Sequence, residues 1–320
     1  MQTVAILGAS GRIGDAAARA FLKAGWRVKG IARGAKSAAL APGVEAVTAD
    51  AHDRAALVSA CAGVDVVLHA LNPTYDAWAE NVVPLAENVL AAAQAAGATV
   101  MIPGNVYNYG TGIGLDMTEG SPVNGDTEKA RLRIAMEGLF ERAAEEKGVR
   151  TIVIRAGDFF GGTRPESWLD LIILKELKKD RFTWPGPGDI VHAFSYLPDL
   201  AEAFVRVAEK RGDLPAFSSF NFRGYAVTGE AMQAAAETAA GRKLRRAGVP
   251  WPILRTIGLF NGVLREVVKM SYLWRVPHSL DNAKLEALIG EEPHRPLDRA
   301  LAEAIADLRL DRDDPTAKAA

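Results

Sequence analysis

Three glycines close to the amino terminus have the spacing of a phosphate-binding turn. Gly8, Gly11 and Gly14 lie in the segment GASGRIG, between a short apolar run and a segment with helical periodicity. The first glycine permits a tight turn, the second lets a phosphate approach the backbone, and the third lets the helix pack closely on the strand. A tight loop without a ligand is the alternative. The predicted pyrophosphate contacts are Gly8, Ser10, Gly11, Arg12, Ile13 and Gly14.

The residues after the second predicted strand indicate which dinucleotide binds. An acidic residue there would accept hydrogen bonds from the ribose 2′-hydroxyl of NAD, whereas an arginine would pair with the 2′-phosphate of NADP. The segment VKGIARGAKS contains Arg33 and Lys36 and no acid. NADP is therefore favoured over NAD, and the alternative is that Arg33 is a solvated loop charge.

Strand-like and helix-like segments alternate through the first half of the chain. Apolar runs predict strands at 3–10, 26–32, 43–50, 64–71, 99–104 and 150–156, and the first of them is expected to be buried on both faces. Helical periodicity predicts helices at 14–25, 53–63, 76–96 and 127–146. This alternation predicts an α/β fold, a Rossmann-type doubly wound parallel sheet with right-handed crossovers.

The regular alternation ends near residue 161, which predicts a second, smaller domain. We expect a helix and then a Pro/Gly-rich turn between 164 and 189, followed by a strand and helix that return to the sheet. The dinucleotide-binding domain is predicted to comprise 1–160 and about 190–222, and the C-terminal substrate lobe about 161–189 and 223–320. A substrate would bind between them. An aromatic, largely apolar lining of that space is expected, although several of its candidate residues must simply belong to the core: Trp168, Trp184, Trp251, Phe260, Tyr272 and Trp274.

The glycine spacing and several later segments resemble the extended branch of the short-chain dehydrogenase/reductase superfamily, which is NAD-dependent epimerase/dehydratase-like. The segments that carry the resemblance include VTADAHD, VVLHALNP, VMIPGNVYNYG and FSYLPDLAEAFVRVAE. It implies that Asp50 faces the adenine ring and that the strand ending at residue 71 lies under the cofactor. The implied cofactor contacts beyond the glycine turn are Asp50, Ala51, Ala70, Leu71, Asn72, Pro103, Asn105, Lys129, Gly157 and Asp158.

The catalytic positions of that branch carry other residue types in this chain. Its enzymes use a serine, a tyrosine and a lysine four residues after the tyrosine, and the tyrosine exchanges a proton with the substrate. Aligned on Glu137, the tyrosine position holds Lys129, the lysine position holds Arg133, and the serine position falls on Pro103 or Gly104.

The segment KARLRIAMEGLF resembles isoflavone reductase-like NADPH reductases, in which a lysine eight residues before a glutamate is the acid/base. That resemblance implies that Lys129 moves the proton, aided if burial beside Arg131 and Arg133 favours its neutral form. A solvated helix residue is the equal alternative. Tyr107 and the nearby Tyr109, which follow the fifth strand, are the other candidate donors.

The amino-acid composition limits the classes of protein to which the chain can belong. Over 320 residues, 49% hydrophobic and 24% charged content is typical of a globular protein, and the net charge of -1 predicts neither nucleic acid nor membrane binding. Cys61 is the single cysteine and the histidines do not cluster, so neither a disulfide nor a metal site is predicted. The first residues lack signal-peptide features, so a cytoplasmic location is the expectation.

The leading hypothesis is an NADP-dependent oxidoreductase that acts on a small organic carbonyl or alcohol. His192 stands where nucleotide-sugar enzymes of the resembled branch carry an arginine that holds a diphosphate, which argues against a nucleotide-sugar substrate. The alternatives are a nucleotide-sugar epimerase or dehydratase and a non-catalytic dinucleotide sensor. The Ala- and Leu-rich helices at 76–96 and 127–146 predict a homodimer, unless those faces cover their own sheet.

Overall fold

The computed structural model describes residues 1–34, 36 and 40–311. Its strands are β1 (Thr3–Leu7), β2 (Arg27–Ala32), β3 (Glu45–Thr48), β4 (Val66–His69), β5 (Thr99–Gly104), β6 (Thr151–Arg155), β7 (Asp158–Phe160), β8 (Arg181–Trp184), β9 (His192–Tyr196), β10 (Phe217–Asn221), β11 (Tyr225–Val227) and β12 (Arg245–Gly248). Its α-helices are α1 (Arg12–Lys23), α2 (Arg54–Ala60), α3 (Trp78–Ala96), α4 (Glu128–Lys147), α5 (Leu197–Lys210), α6 (Gly229–Ala240), α7 (Trp251–Gly258), α8 (Gly262–Lys269), α9 (Ala283–Ile289) and α10 (Leu297–Asp307).

The main sheet has seven strands in the order β10-β6-β5-β4-β1-β2-β3, and every paired strand runs parallel. The predicted α/β, doubly wound architecture is confirmed. The strand order reverses between β1 and β4, and the ends of these two strands form the crevice in which such sheets bind ligands.

Alternate residues of β1 pack on opposite faces of the sheet, and both faces are covered there. Ala5 and Leu7 face the core cluster formed with α2, α3 and α4. Val4 and Ile6 face the cluster formed with α1 and α5. Burial on both faces explains why β1, β4, β5 and β6 read as continuous apolar runs, whereas the edge strand β3 is largely exposed.

The ends of the helices follow local signals in the sequence. Thr127 caps α4 because its hydroxyl accepts a hydrogen bond from the amide of Ala130. Asp53 caps α2 in the same way through the amide of Ala56. Gly97 and Gly148, both with positive φ, end α3 and α4. These signals place the first turn of α4, and with it Lys129, at the carboxyl edge of the sheet.

The apolar residues of α3 and α4 are turned towards their own sheet. Val82, Leu85 and Phe140 are buried, and within the described residues neither helix exposes a large apolar side chain. Covering the sheet therefore accounts for the apolar pattern of both helices. The homodimer stays a prediction.

The smaller part of the fold contains two short sheets. In one, β9 pairs with β7 and β11, and in the other β8 pairs with β12. The expectation that the strand at 192–196 returns to the main sheet is wrong, because β9 is the centre of the three-stranded sheet and β10 takes the seventh place. Gly157 permits this arrangement, since a Cβ there would clash with the carbonyl of Ala193 in β9.

The helix expected between 164 and 189 is also largely absent. The chain makes single turns at Leu169–Ile173 and Leu177–Lys179 and then continues into β8. The apolar spacing was helical, but Asp180 has φ of 53°, which ends the second turn in the left-handed region.

Candidate active site

The glycine turn leaves the backbone at the start of α1 uncovered by side chains. Gly8 has φ of 81°, and its amide donates to the carbonyl of Ile31 at 3.1 Å. A Cβ on Gly14 would clash with the carbonyl of Gly8, and no side chain caps the helix at Gly11. This cradle fits a pyrophosphate, because the amides at the start of α1 carry no side-chain cap and Gly14 lets the helix begin directly against the turn.

The predicted cofactor residues lie along one edge of the main sheet, and the glycine turn contacts the residues that follow β4. A Cβ on Gly8 would lie 2.8 Å from the carbonyl oxygen of Ala70, after β4. The other predicted contacts lie at the ends of four strands. After β3 come Asp50 and Ala51, and after β4 come Ala70, Leu71 and Asn72. At the end of β5 are Pro103 and the following Asn105, and after β6 come Gly157 and Asp158. The carboxyl ends of parallel strands share this edge, as the sequence interpretation requires.

The residues expected to select the cofactor are accessible. Arg33 and Lys36 are both exposed after β2. Asp50 is exposed after the neighbouring strand, and its carboxylate accepts a hydrogen bond from the amide of His52 at 3.0 Å. Both basic side chains are therefore accessible to a charged group of a ligand that lies beyond the end of β2.

Lys129 is buried and paired with an acid. Its ammonium donates to the carboxylate of Glu266 in α8 at 2.9 Å and lies 5.2 Å from the ring centroid of Trp78. Lys269 donates to the same carboxylate at 2.6 Å. Burial alone would raise the pKa of Glu266, but the hydrogen bonds from Lys269 and Lys129 outweigh it and hold that pKa below its usual range. Glu266 is therefore ionised, and its carboxylate accepts hydrogen bonds from both lysines.

The basic surroundings expected for Lys129 are found only in part. Arg131 is exposed, and its guanidinium donates to the carbonyl of Gly125 at 2.9 Å. Arg133 lies over the ring of Trp78, 5.8 Å from its centroid, and donates to the carbonyl of Pro103 at 2.8 Å. The arginine at the family's lysine position thus holds the end of β5.

A second arginine holds the same strand end. Arg155, in β6, donates to the carbonyl of Asn105 at 2.6 Å and forms a buried ion pair with Glu137 of α4 at 2.7 Å. Burial opposes the charge, but Glu137 raises the pKa of Arg155 overall. Glu137, the residue on which α4 was aligned with the resembled family, therefore fixes this helix to β5 and β6.

The carboxylate of Asp158 is held by a histidine. His192 contacts Asp158 through Nε2 at 2.9 Å, and its ring stacks on Trp274 with a centroid distance of 4.0 Å. His192 is buried, and its Nδ1 lies 3.3 Å from the carbonyl oxygen of Leu273. It orients Asp158 and is not accessible for a diphosphate.

The candidate tyrosines differ in their surroundings. Tyr107 is buried, with its ring 6.1 Å from that of Trp78, and its amide donates to the side chain of Asn105. The hydroxyl of Tyr109 donates to the carbonyl of Thr118 at 3.3 Å, and burial raises its pKa. Both hydroxyls belong to buried side chains of the main core.

Tyr272 is a further candidate that the sequence interpretation placed only in the aromatic lining. Its hydroxyl is buried. Burial, with the charges of Asp126 and Asp158, raises the pKa of Tyr272, although a hydrogen bond with Thr127 acts in the opposite direction, and the phenol stays protonated. Nothing in the local sequence distinguishes this tyrosine, because its neighbours come from the residues before α4 and from β7.

Two cavities flank Trp78. One, of about 170 Å³, opens beside Lys129 and is lined by charged groups that include Asp76, Glu128 and Arg265. The other is smaller and is lined by residues after β4 together with Arg133 and His69. Burial, then Arg133, lowers the pKa of His69 to about 3, so its ring is neutral.

A parallel, doubly wound sheet with a glycine turn at its switch point defines a dinucleotide-binding α/β protein. The family model described as "NAD dependent epimerase/dehydratase family" matches residues 4–221. The chain belongs to this family, a family of enzymes within the extended short-chain dehydrogenases/reductases. No curated protein sequence matches the chain.

Solved structures with this fold match nearly the whole chain at low identity. UDP-N-acetylglucosamine 4-epimerase from Bacillus cereus is 15% identical, with a TM-score of 0.75 over 98% of this chain and 100% of its own. UDP-glucose 4-epimerase from Bifidobacterium longum, in complex with NAD⁺ and UDP, is 16% identical, with a TM-score of 0.75 over 97% and 100%. The Bordetella bronchiseptica enzyme WbmH, in complex with NAD⁺, is 19% identical, with a TM-score of 0.75 over 97% and 98%. At these identities the likeness shows the fold.

Proposed function

We propose that the protein is an NAD(P)-dependent oxidoreductase that acts on a carbonyl or alcohol carbon of a substrate bound beside Lys129. The dinucleotide-binding part would comprise 1–160 and about 190–222, and the substrate lobe about 161–189 and 223–320, of which 312–320 lie outside the described residues. The observation that carries the proposal is the glycine cradle between β1 and α1, at the point where the strand order reverses. When bound there, the dinucleotide supplies or accepts the hydride.

The charges at the edge of the sheet support NADP as the preferred cofactor. Arg33 and Lys36 are exposed where the adenosine ribose of a bound dinucleotide would lie, and a guanidinium pairs well with a phosphate. Against this, two of the similar structures hold NAD⁺. The preference for NADP therefore rests on these two side chains.

Lys129 is the residue we assign to proton transfer with the substrate oxygen. Its ammonium borders the charged cavity, and Glu266 and Lys269 fix its position through hydrogen bonds. A lysine held as an ammonium can donate a proton or a hydrogen bond to an oxygen on which negative charge develops. Tyr107 remains the alternative donor from the sequence, and the buried phenol of Tyr272 is a second one from the structure.

Two substrate classes fit the family. A small organic carbonyl or alcohol is supported by the charged cavity of about 170 Å³ and by His192, which is buried against Trp274 and cannot hold a diphosphate. A nucleotide-sugar epimerase or dehydratase is the second candidate, and the comparisons support it better, since the similar structures include UDP-sugar epimerases. Hydride transfer at one carbon is common to both.

Turnover assays separate these candidates. In the first arm, the protein is mixed with NADPH or NADH and each of a panel of aldehydes and ketones, and the absorbance of the reduced cofactor is followed. Net oxidation of the cofactor supports the small-carbonyl reductase. The second arm incubates the protein with NAD⁺ and UDP-glucose or UDP-N-acetylglucosamine and analyses the sugars by NMR, where epimers support the second candidate. Dinucleotide binding without turnover in either arm would overturn the enzymatic proposal and leave a sensor.

A further inference from the structure

A group of large apolar side chains protrudes from the lobe where α7 and α8 meet, and we call this group the hairpin tip. Its members with their exposed fractions are Ile253 (59%), Ile257 (45%), Leu259 (72%), Phe260 (90%) and Val263 (43%). Phe260, which the sequence interpretation placed in the aromatic lining, is therefore in solvent. A cluster of this kind on a surface marks an interaction site.

The inner face of the hairpin is firmly attached to the lobe, so the tip has a fixed position. The indole of Trp251 donates to the carbonyl of Pro185 at 2.6 Å and is buried. Glu266 of α8 pairs with Lys129. A Cβ on Gly258 would lie 3.2 Å from the Cα of Arg265, which shows how closely the two helices approach. The apolar tip is thus a projecting feature of a packed element.

The charged residues in the hairpin segment 251–265 are all basic. Arg255 and Arg265 are exposed on it, and the segment 251–265 contains no acidic residue. Glu266, the next residue, is buried and already paired with two lysines. On the side of the charged cavity, Gly262 lies beside Asp76, and Arg265 lines that cavity together with Asp76 and Glu128. Away from the cavity, most of the exposed side chains of the segment 251–265 are apolar, with Arg255 as an exposed basic residue among them.

We propose that the hairpin tip attaches the protein to the surface of an anionic lipid bilayer. Projecting apolar side chains enter the boundary between headgroups and acyl chains, and arginines beside them attract acidic headgroups. A second copy of this chain is disfavoured, because a twofold contact would bring Arg255 and Arg265 towards their own counterparts. The net charge of -1, which predicted no membrane partner, does not describe this local surface.

The attachment is peripheral. No described helix has the length and apolarity needed to cross a membrane. Because α8 also supplies Glu266, the tip lies on the same element that borders the charged cavity. The inference does not depend on the proposed reaction.

The experiment is vesicle co-sedimentation of the full-length protein. The two probes are vesicles of phosphatidylcholine alone and of an equal mixture of phosphatidylcholine and phosphatidylglycerol. We expect wild type to bind the mixed vesicles, and the double variant Leu259→Ser/Phe260→Ser to lose about tenfold or more in affinity. Arg255→Glu should weaken binding to the mixed vesicles, and added salt should do the same.

The matched control is the double variant Leu115→Ser/Leu171→Ser, which removes two exposed apolar side chains elsewhere and should bind like wild type. Circular dichroism of each variant checks folding. Wild type that stays in the supernatant with both vesicles would overturn the proposal, as would equal binding by the tip variant. Light scattering that shows an oligomer of wild type dissociated by the tip variant, without vesicle binding, would assign the tip to a second copy instead.

Discussion

At the scale of single residues, the partner of Lys129 determines what that lysine can do. The side-chain nitrogen of Lys129 donates to the carboxylate of Glu266, which fixes its position from α8. A hydrogen-bond donor fixed in this way can stabilise an oxygen that gains negative charge. Lysine at the tyrosine position therefore offers a nitrogen donor where the family has a phenol.

Replacing Lys129 by alanine tests this role. We expect kcat to fall about 100-fold or more, because a positioned proton donor contributes on that scale. Lys269 still pairs with Glu266, so the free energy of unfolding should fall by less than about 3 kcal/mol. Steady-state kinetics and urea denaturation measure the two effects.

The control for that variant is Arg131→Ala, which removes an exposed basic residue of the same helix. Kinetics like those of wild type in Lys129→Ala would exclude the residue from the mechanism. Tyr272→Phe and Tyr107→Phe would then be the next variants to compare.

The glycine cradle makes a sharper prediction about binding. Gly14→Ala places a methyl group against the carbonyl of Gly8, so the start of α1 must move away from β1. We expect the Kd for the preferred dinucleotide to rise about tenfold or more. Gly212→Ala, where a Cβ would meet nothing within 4 Å, is the matched control. Equal affinity of the two variants, measured by calorimetry, would show that the turn does not hold the ligand.

The local parts of the site could be predicted from the sequence, whereas contacts between residues far apart in the chain could not. The glycine turn could be predicted because Gly8, Gly11 and Gly14 are local and their spacing has a steric cause. The pair of Lys129 with Glu266 joins residues 137 positions apart, and no local pattern indicates it. The contact of His192 with Asp158 was missed for the same reason, since β9 and β7 meet only in the folded chain.

At the scale of elements, the buried pair of Glu137 and Arg155 joins α4 to the main sheet. Glu137→Ala should lower the free energy of unfolding by about 3–5 kcal/mol, because it leaves a buried guanidinium without its anion. The change should also weaken activity, since α4 carries Lys129. Glu141→Ala, an exposed site on the same helix, is the control. Urea denaturation curves that coincide for both variants would contradict this account of the junction.

Helices and strands that are determined by nearby residues could be predicted from the sequence. Those that depend on contacts with distant segments of the chain could not. Strands β1 to β6 of the main sheet and helices α1 to α4 follow from apolar periodicity and end signals such as Thr127 and Gly97, whereas the seventh strand, β10, was not predicted in this sheet. The segment after residue 164 has helical spacing but breaks at Asp180. The placement of β9 in a second sheet depends on the close approach at Gly157, which the sequence pattern of β9 does not show.

At the scale of the whole molecule, two buried histidines make stability depend on pH. Burial, then Arg133, lowers the pKa of His69 to about 3, and burial, then His192, lowers that of His278 to about 3. The unfolded chain takes up these protons near pH 6.5, whereas the folded chain does not until about pH 3. The associated stability is complete above pH 6.5 and is lost as the pH falls towards 3, by about 1.4 kcal/mol per pH unit for each histidine.

Urea denaturation of wild type, His69→Gln and His278→Gln at several pH values between 7.5 and 4.5 measures this dependence. Each variant should be less stable than wild type at pH 7.5 but should lose less stability on acidification. His52→Gln, at an exposed histidine, should follow wild type. A pH dependence that is unchanged in both buried-site variants would show that other groups cause it.

The central claim about the whole molecule is that the first parallel strand and helix hold a nicotinamide dinucleotide. Isothermal titration of the full-length protein with NADPH and, separately, NADH tests it most directly. We predict saturable binding of one molecule per chain, with NADPH bound more tightly because Arg33 and Lys36 meet its extra phosphate. The absence of binding heat with either dinucleotide at millimolar concentration would contradict the account.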